Sequence, residues 1–253
     1  MSNESPVRVL VWDEAPRHAP KEVYPESING AVAQGLKQAL SEKVQVRTAN
    51  LDEPDQGCSE QALAEADVIV WWGHARHGEV TDETAARVVR RVVEGGAGFI
   101  ALHSAHYSKT FQRILGAPGH LKGGWRELNP MEPEFVRVCA PWHPIAHGVG
   151  DFTIEHEEMY GAPFDVPPPL VLVLQSHFPY DGKTFPSGIC WTVGEGKTEG
   201  FTSGPGQGVG EGFGKARVFY FRPGHETVPT YFDANVRRVL ANAVLWCAHR
   251  SQG

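Results

Sequence analysis

Cysteine is scarce, and what there is of it is unpaired. The four residues, Cys58, Cys139, Cys190 and Cys247, show no CxxC spacing. That excludes a paired-cysteine motif, and the expectation is reduced, mostly buried thiols in a cytoplasmic protein. Blocks of Lys and Arg are missing, as is any acidic tail. With a net charge of -7, no broad basic face remains to meet phosphates, which argues against nonspecific nucleic-acid binding. No apolar run approaches the roughly 20 residues a membrane-spanning helix needs. The opening "MSNESPVRVL" lacks the basic and apolar regions of a signal peptide. No internal repeat is present. The Gly-rich stretch at 194–215 has no Gly-Lys-Ser/Thr closing it ahead of a helix, so it is not a phosphate loop. It reads as a long mobile loop between two strands, placed to serve as a lid.

What is present is an ordinary globular composition, 41% hydrophobic and 21% charged over 253 residues, read as a single domain spanning 1–253. Short apolar strands are predicted at "VRVLVW" (7–12), "VQVRTA" (44–49), "ADVIVWWGH" (66–74) and "GFIAL" (98–102). Helical periodicity separates them. One helix carries Ile28, Val32, Leu36 and Leu40 with Ser27 as its expected cap. Another is capped by Thr81 and stopped by Gly95 and Gly96; a third ends at Gly116. After Pro130 the chain becomes strand-rich, and a last helix follows Tyr231. Alternating strands and helices predict an α/β fold: a flavodoxin-like, doubly wound, mostly parallel sheet with helices on both faces.

Such sheets bind ligands outside the carboxyl ends of their strands. Those ends are where this sequence places its polar groups. The first strand ends in Asp13 and Glu14, the third in His74 and His77, the fourth in His103, Ser104 and His106. The late strand "RVFYF" ends in Arg222, Pro223, Gly224, His225 and Glu226. A Pro-Gly turn there aims His225 out of the strand end. "FTIEHEEMYG" packs Glu157 and Glu158 ahead of Tyr160, and Arg126 stands in the Gly-rich setting "GGWRE".

Taken together, "RVLVWDE", "YPESING", "VIVWWGHARHGEV", "IALHSAHYSKTF", "WRE", "HPIAHGV", "EEMYG" and "FYFRPGHETVPTY" resemble the ThuA-like (trehalose utilisation) proteins of the class I glutamine amidotransferase-like superfamily. The blocks run in order over nearly the whole chain. Amidotransferases of that superfamily carry a cysteine nucleophile at a G-x-C-x-G elbow; the corresponding position here holds His103. Thioester chemistry on glutamine is therefore not expected. The late histidine of that machinery corresponds to His225.

The resemblance implies sugar catabolism alongside dehydrogenases that make 3-keto sugars. The expected function is acid/base chemistry on a trehalose-type disaccharide or its 3-keto derivative. The expected catalytic group is His103, Ser104, His106, Glu158 and His225. Asp13, Trp72, His77, Trp125, Arg126 and Tyr160 are the expected substrate contacts. A metal-assisted alternative draws on His74, His103, Glu158 and His225, an N/O set suited to Zn or another divalent ion. A noncatalytic sugar-binding protein or dehydrogenase partner is the alternative from another class. The expected partners are a small sugar and a sugar dehydrogenase, with a homo-oligomer open and neither nucleic acid nor membrane.

Overall fold

In the computed structural model, which describes residues 5–195, 197–198, 212–213 and 215–251, the first half of the chain alternates strand and helix. Strand β1 (Val7–Asp13) is followed by α1 (Ser27–Leu40), β2 (Val44–Asn50) and α2 (Glu60–Ala64). Next come β3 (Val68–Trp72), α3 (Asp82–Val93), β4 (Gly98–Leu102) and α4 (Lys109–Leu115). The later half is strand-rich: β5 (Trp125–Arg126), β6 (Glu132–Val138), β7 (Phe152–Glu157), β8 (Met159–Tyr160), β9 (Val171–Phe178) and β10 (Lys183–Val193). Two short strands, β11 (Lys197–Thr198) and β12 (Gly212–Phe213), pair with each other ahead of β13 (Ala216–Phe221) and α5 (Ala234–Cys247). The rest of the Gly-rich segment, and with it the lid expectation, lies outside the described residues.

Nine strands form one sheet in the order β2-β1-β3-β4-β13-β10-β9-β6-β7. The first five are parallel, which is the doubly wound half the sequence predicts. The strand-rich half extends it with antiparallel neighbours, and only β10 and β6 run against the other seven. The carboxyl ends of β1, β3, β4, β13 and β7 therefore share one edge.

Strand β1 shows why both faces are covered. Val7, Val9 and Val11 enter one core layer, with Ile28 and Leu36 of α1 and Val239 and Val244 of α5. Leu10 and Trp12 enter the other, with Leu63, Val88 and Phe111 from α2, α3 and α4. Each such side chain contributes about 1.5–3 kcal/mol on burial. Thr81 caps α3 as expected, its hydroxyl accepting from the Thr84 amide at 3.1 Å. Gly116, at φ +64°, ends α4. The expected Ser27 cap is corrected. Ser27 is the first helical residue at φ +63°, and the acceptor at this helix start is the Asp13 carboxylate, which takes the Ser27 hydroxyl at 2.5 Å and the Asn29 amide at 3.0 Å. Among the described residues no helix is long and apolar enough to cross a membrane.

Candidate active site

β3, β4 and β13 are consecutive neighbours in the sheet, and each hands one imidazole to its carboxyl edge. β4 delivers His103 directly. Its backbone lies at φ +52°, a left-handed conformation that costs a side chain-bearing residue roughly 1–2 kcal/mol. The chain breaks there from strand into a 3-10 turn, His103–Tyr107, and Ser108 caps α4 behind it. His74 follows β3 after Gly73. The Glu14 carboxylate fixes that turn by accepting the amides of His74, Ala75 and Arg76 at 2.7–2.9 Å. His225 follows β13 through Gly224. At φ +132°, a Cβ on Gly224 would lie 1.9 Å from the Tyr231 hydroxyl, so this turn requires glycine.

The three rings meet. Their centroids are 5.2 Å apart for His74–His103, 5.2 Å for His74–His225 and 5.5 Å for His103–His225, all steeply inclined. Glu226 closes the group. One of its oxygens accepts from His74 Nδ1 at 2.7 Å and the other from His18 Nε2 at 2.5 Å. His103 Nδ1 donates to the Arg222 carbonyl at 3.2 Å. Its Nε2 therefore faces the Tyr160 hydroxyl and a Glu158 oxygen, each at 3.3 Å. That oxygen, Oε2 of Glu158, is buried and accepts no hydrogen bond among the described residues. His225 Nδ1 meets Thr227 Oγ1 at 2.8 Å and the Thr227 amide at 3.3 Å.

Burial sets the proton affinities apart. His103 is completely enclosed; desolvation, then the neighbouring imidazoles, hold its pKa well below the ordinary value. Burial also lowers His74, but hydrogen bonding and charge from Glu226, with Glu158 and Glu14, outweigh it and raise the pKa. Glu158 is raised by burial. Glu226 is depressed: burial opposes ionisation, but the His74 hydrogen bond and the surrounding imidazoles prevail. His74 and His18, with side chains 27% and 47% exposed, form the open side of the cluster.

Beneath it lies a buried polar scaffold. The Glu157 carboxylate accepts the amides of Gly224 at 2.8 Å and His225 at 3.1 Å, and the Thr230 hydroxyl at 2.9 Å. Arg222 makes a two-point bond to Glu134 and donates to the Glu158 carbonyl at 2.5 Å. Ser176, from β9 between them, bonds Glu134 as well.

Several expected site residues have other tasks. Asp13 is spent on the start of α1 and on the Ala15 amide, so it holds no substrate hydroxyl. Trp72 is 1% exposed, donates to the Gly224 carbonyl at 3.0 Å and stacks on His103, which leaves no face for a sugar. His106 turns into the core, bonded to the Gly119 carbonyl at 2.7 Å and packed against Tyr107, Tyr160 and Tyr220. Ser104 acts through Tyr160, to whose hydroxyl it is bonded. His77 packs by Tyr107 and Gly73, and burial lowers its pKa to about 4. Arg126 is committed to Glu132 and Asp181 under the Tyr180 ring. Trp125 is 64% exposed and pairs with Tyr160 in strand register. The carboxylate grouped with the nitrogens of His74, His103 and His225, as a set that could hold a metal ion, is Glu226 in place of the expected Glu158. Sequence reasoning also passed over His18, whose loop carries no periodic signal, and Glu157 as a scaffold.

The family model for ThuA, trehalose utilisation, matches residues 8–247. The chain belongs to the ThuA family. It is similar in structure to a ThuA-like protein of Bacteroides uniformis ATCC 8492, with TM-score 0.60, 16% identity, and 98% and 94% of the two chains covered. It is also similar to a glutamine amidotransferase of Thermotoga maritima, with TM-score 0.51, 10% identity, and 96% and 98% covered. Both likenesses speak for the fold. Among curated proteins none matches the sequence. In this ThuA-family chain all four cysteines are free, three of them buried and Cys139 exposed. None is among the residues that contact His103, which sits at the strand-to-helix elbow.

Proposed function

We propose that this ThuA-family chain acts on trehalose-type disaccharides or their 3-keto derivatives by moving a proton beside the keto group. A ketone at C3 acidifies the C–H at C2. A base removes that proton, and its electron pair forms a C1–C2 double bond. The glycosidic C1–O bond breaks, and the departing oxygen takes up a proton. The whole step needs one base, one proton donor and a positive group at the ketone oxygen, with no nucleophile on the protein.

The observation that carries this reading is the free Oε2 of Glu158, buried beside three imidazoles at the sheet's carboxyl edge. A carboxylate with a raised pKa is a stronger base than an ordinary one, and Glu158 takes the C2 proton. His74, raised in pKa and partly open, supplies the positive group. Environments that push neighbouring groups' pKa values apart are what assign acid and base roles. Tyr160 and His103 frame the base. Trp125, exposed next to Tyr160 in register, offers a face for a sugar ring. The family's association with trehalose utilisation supports the substrate class.

The test is incubation with trehalose and 3-ketotrehalose, with and without Zn2+, and product analysis by mass. Cleavage or isomerisation of the keto sugar by the native chain, lost in Glu158→Gln, is expected. Binding without turnover would replace this reading with a noncatalytic sugar-binding role.

A further inference from the structure

We infer that His74, His103, His225 and Glu226 form a binding site for one divalent transition-metal ion. One ligand atom from each lies within 4.8 Å of every other. A tetrahedral Zn site with bonds of about 2.0–2.1 Å has ligand atoms about 3.4 Å apart. Small side-chain rotations, chiefly of the partly exposed His74, close that difference. Three imidazoles and one carboxylate are the donor set such ions prefer over Mg2+ or Ca2+.

Three further observations point the same way. First, the ligands are held from behind. The Arg222 carbonyl takes Nδ1 of His103, Thr227 Oγ1 meets Nδ1 of His225, and His18 Nε2 bonds Oε1 of Glu226. Outer partners of this kind orient metal ligands. Second, the three histidines stand at the ends of adjacent strands of a packed sheet, so the backbone presets their spacing. Third, the surroundings are short of positive charge. Glu134, Glu157, Glu158 and Glu226 are all buried, and Arg222 is the guanidinium buried among them. Arg222 faces Glu134 and Glu157, which leaves Glu226 and the donorless Oε2 of Glu158 beside the imidazoles. A divalent cation offsets both. Bound there, it would supply Lewis-acid polarisation of a substrate oxygen, the task given above to His74.

Metal binding at this site requires no sugar, so metal binding and turnover fail independently. The experiment is calorimetric titration of the chelator-treated full chain with Zn2+, with Co2+ absorption as a second readout of coordination. One Zn2+ per chain is expected, with tetrahedral-type visible absorption from Co2+. Affinity should fall by more than the roughly 10–100-fold that losing an outer partner costs, both in His74→Ala and in Glu226→Gln. These two remove partly exposed or isosteric groups, and circular dichroism verifies their folding. His156→Ala, on β7 and bonded to the Met131 carbonyl, should bind as the native chain does. No binding by the native chain overturns the inference, as does equal affinity in the native chain and both site variants.

Discussion

Replacing Glu157 by Gln changes one atom and should unfasten the loop that carries His225 and Glu226. The Glu157 side chain is 1% exposed and its two oxygens accept from Gly224 N, His225 N, Thr230 Oγ1 and, at 3.2 Å, the amide of the next residue, Glu158. A glutamine has one acceptor oxygen. Placed towards Gly224 and Thr230, it keeps two of the bonds and turns its amide hydrogens against the His225 N–H. Leaving that donor unmatched costs about 1–3 kcal/mol, and the two retained bonds lose their charge assistance, about 0.5–1 kcal/mol each. The sum is roughly 2–5 kcal/mol. At about 2–4 °C per kcal/mol for a chain of this size, the melting temperature should fall by about 5–15 °C. Thermal and urea unfolding measure it. Thr230→Val should be less than additive with Glu157→Gln, since Glu157→Gln already weakens the bond that Thr230→Val removes. A Glu157→Gln protein melting within about 1 °C of the native chain would contradict the scaffold role.

Gly224→Ala places a Cβ 1.9 Å from the Tyr231 hydroxyl and 2.4 Å from its ring carbon Cζ at φ +132°, and should destabilise by about 3 kcal/mol in urea unfolding while abolishing turnover. A thiol reagent applied to the folded protein should label Cys139, the exposed thiol, and leave turnover of a keto disaccharide intact; loss of activity on labelling would reinstate a cysteine mechanism. Burial holds His106 well below the ordinary histidine pKa, so the unfolded chain binds the extra proton first as pH falls. Its contribution is thus intact above about pH 6.5 and is lost on acidification, at up to about 1.4 kcal/mol per pH unit. Urea unfolding at several pH values should show that slope, and His106→Gln should flatten it by about one proton.

The fold was open to reading because each early strand is a compact apolar run and each helix carries a clear stripe, as in β1 and α1. His74, His103 and His225 were legible for the same reason: each stands where an apolar run stops. What failed depends on where side chains go after the backbone turns. Asp13 looks like a site carboxylate until α1 folds back and presents its unpaired amides. His106 is three residues past His103, and the 3-10 turn sends it into the opposite core layer. Trp72 ends its strand under His103, so its indole is a floor where the sequence suggested a sugar platform. That Glu226 as well as Glu158 reaches the imidazoles depends on the turn at Gly224, a conformation no periodicity reports. The bond between Arg222 and Glu134 spans 88 residues and is visible only once β6 and β13 share a sheet.

In the proposed function this edge of the sheet moves a proton beside a ketone. Deuterium transfer tests it most directly: 3-ketotrehalose is incubated with the chain in heavy water, and label at C2 of substrate and product is followed by NMR. The native chain should release the C2 hydrogen to solvent as the glycosidic bond breaks, leaving a product with a C1–C2 double bond and no C2–H. Deuterium should enter C2 only where the enolate is reprotonated or water adds back, and Glu158→Gln should slow the loss of the C2 hydrogen by about 100-fold or more. Cleavage that retains the original C2 hydrogen in the product, or equal rates of its loss with the native chain and Glu158→Gln, would contradict the account.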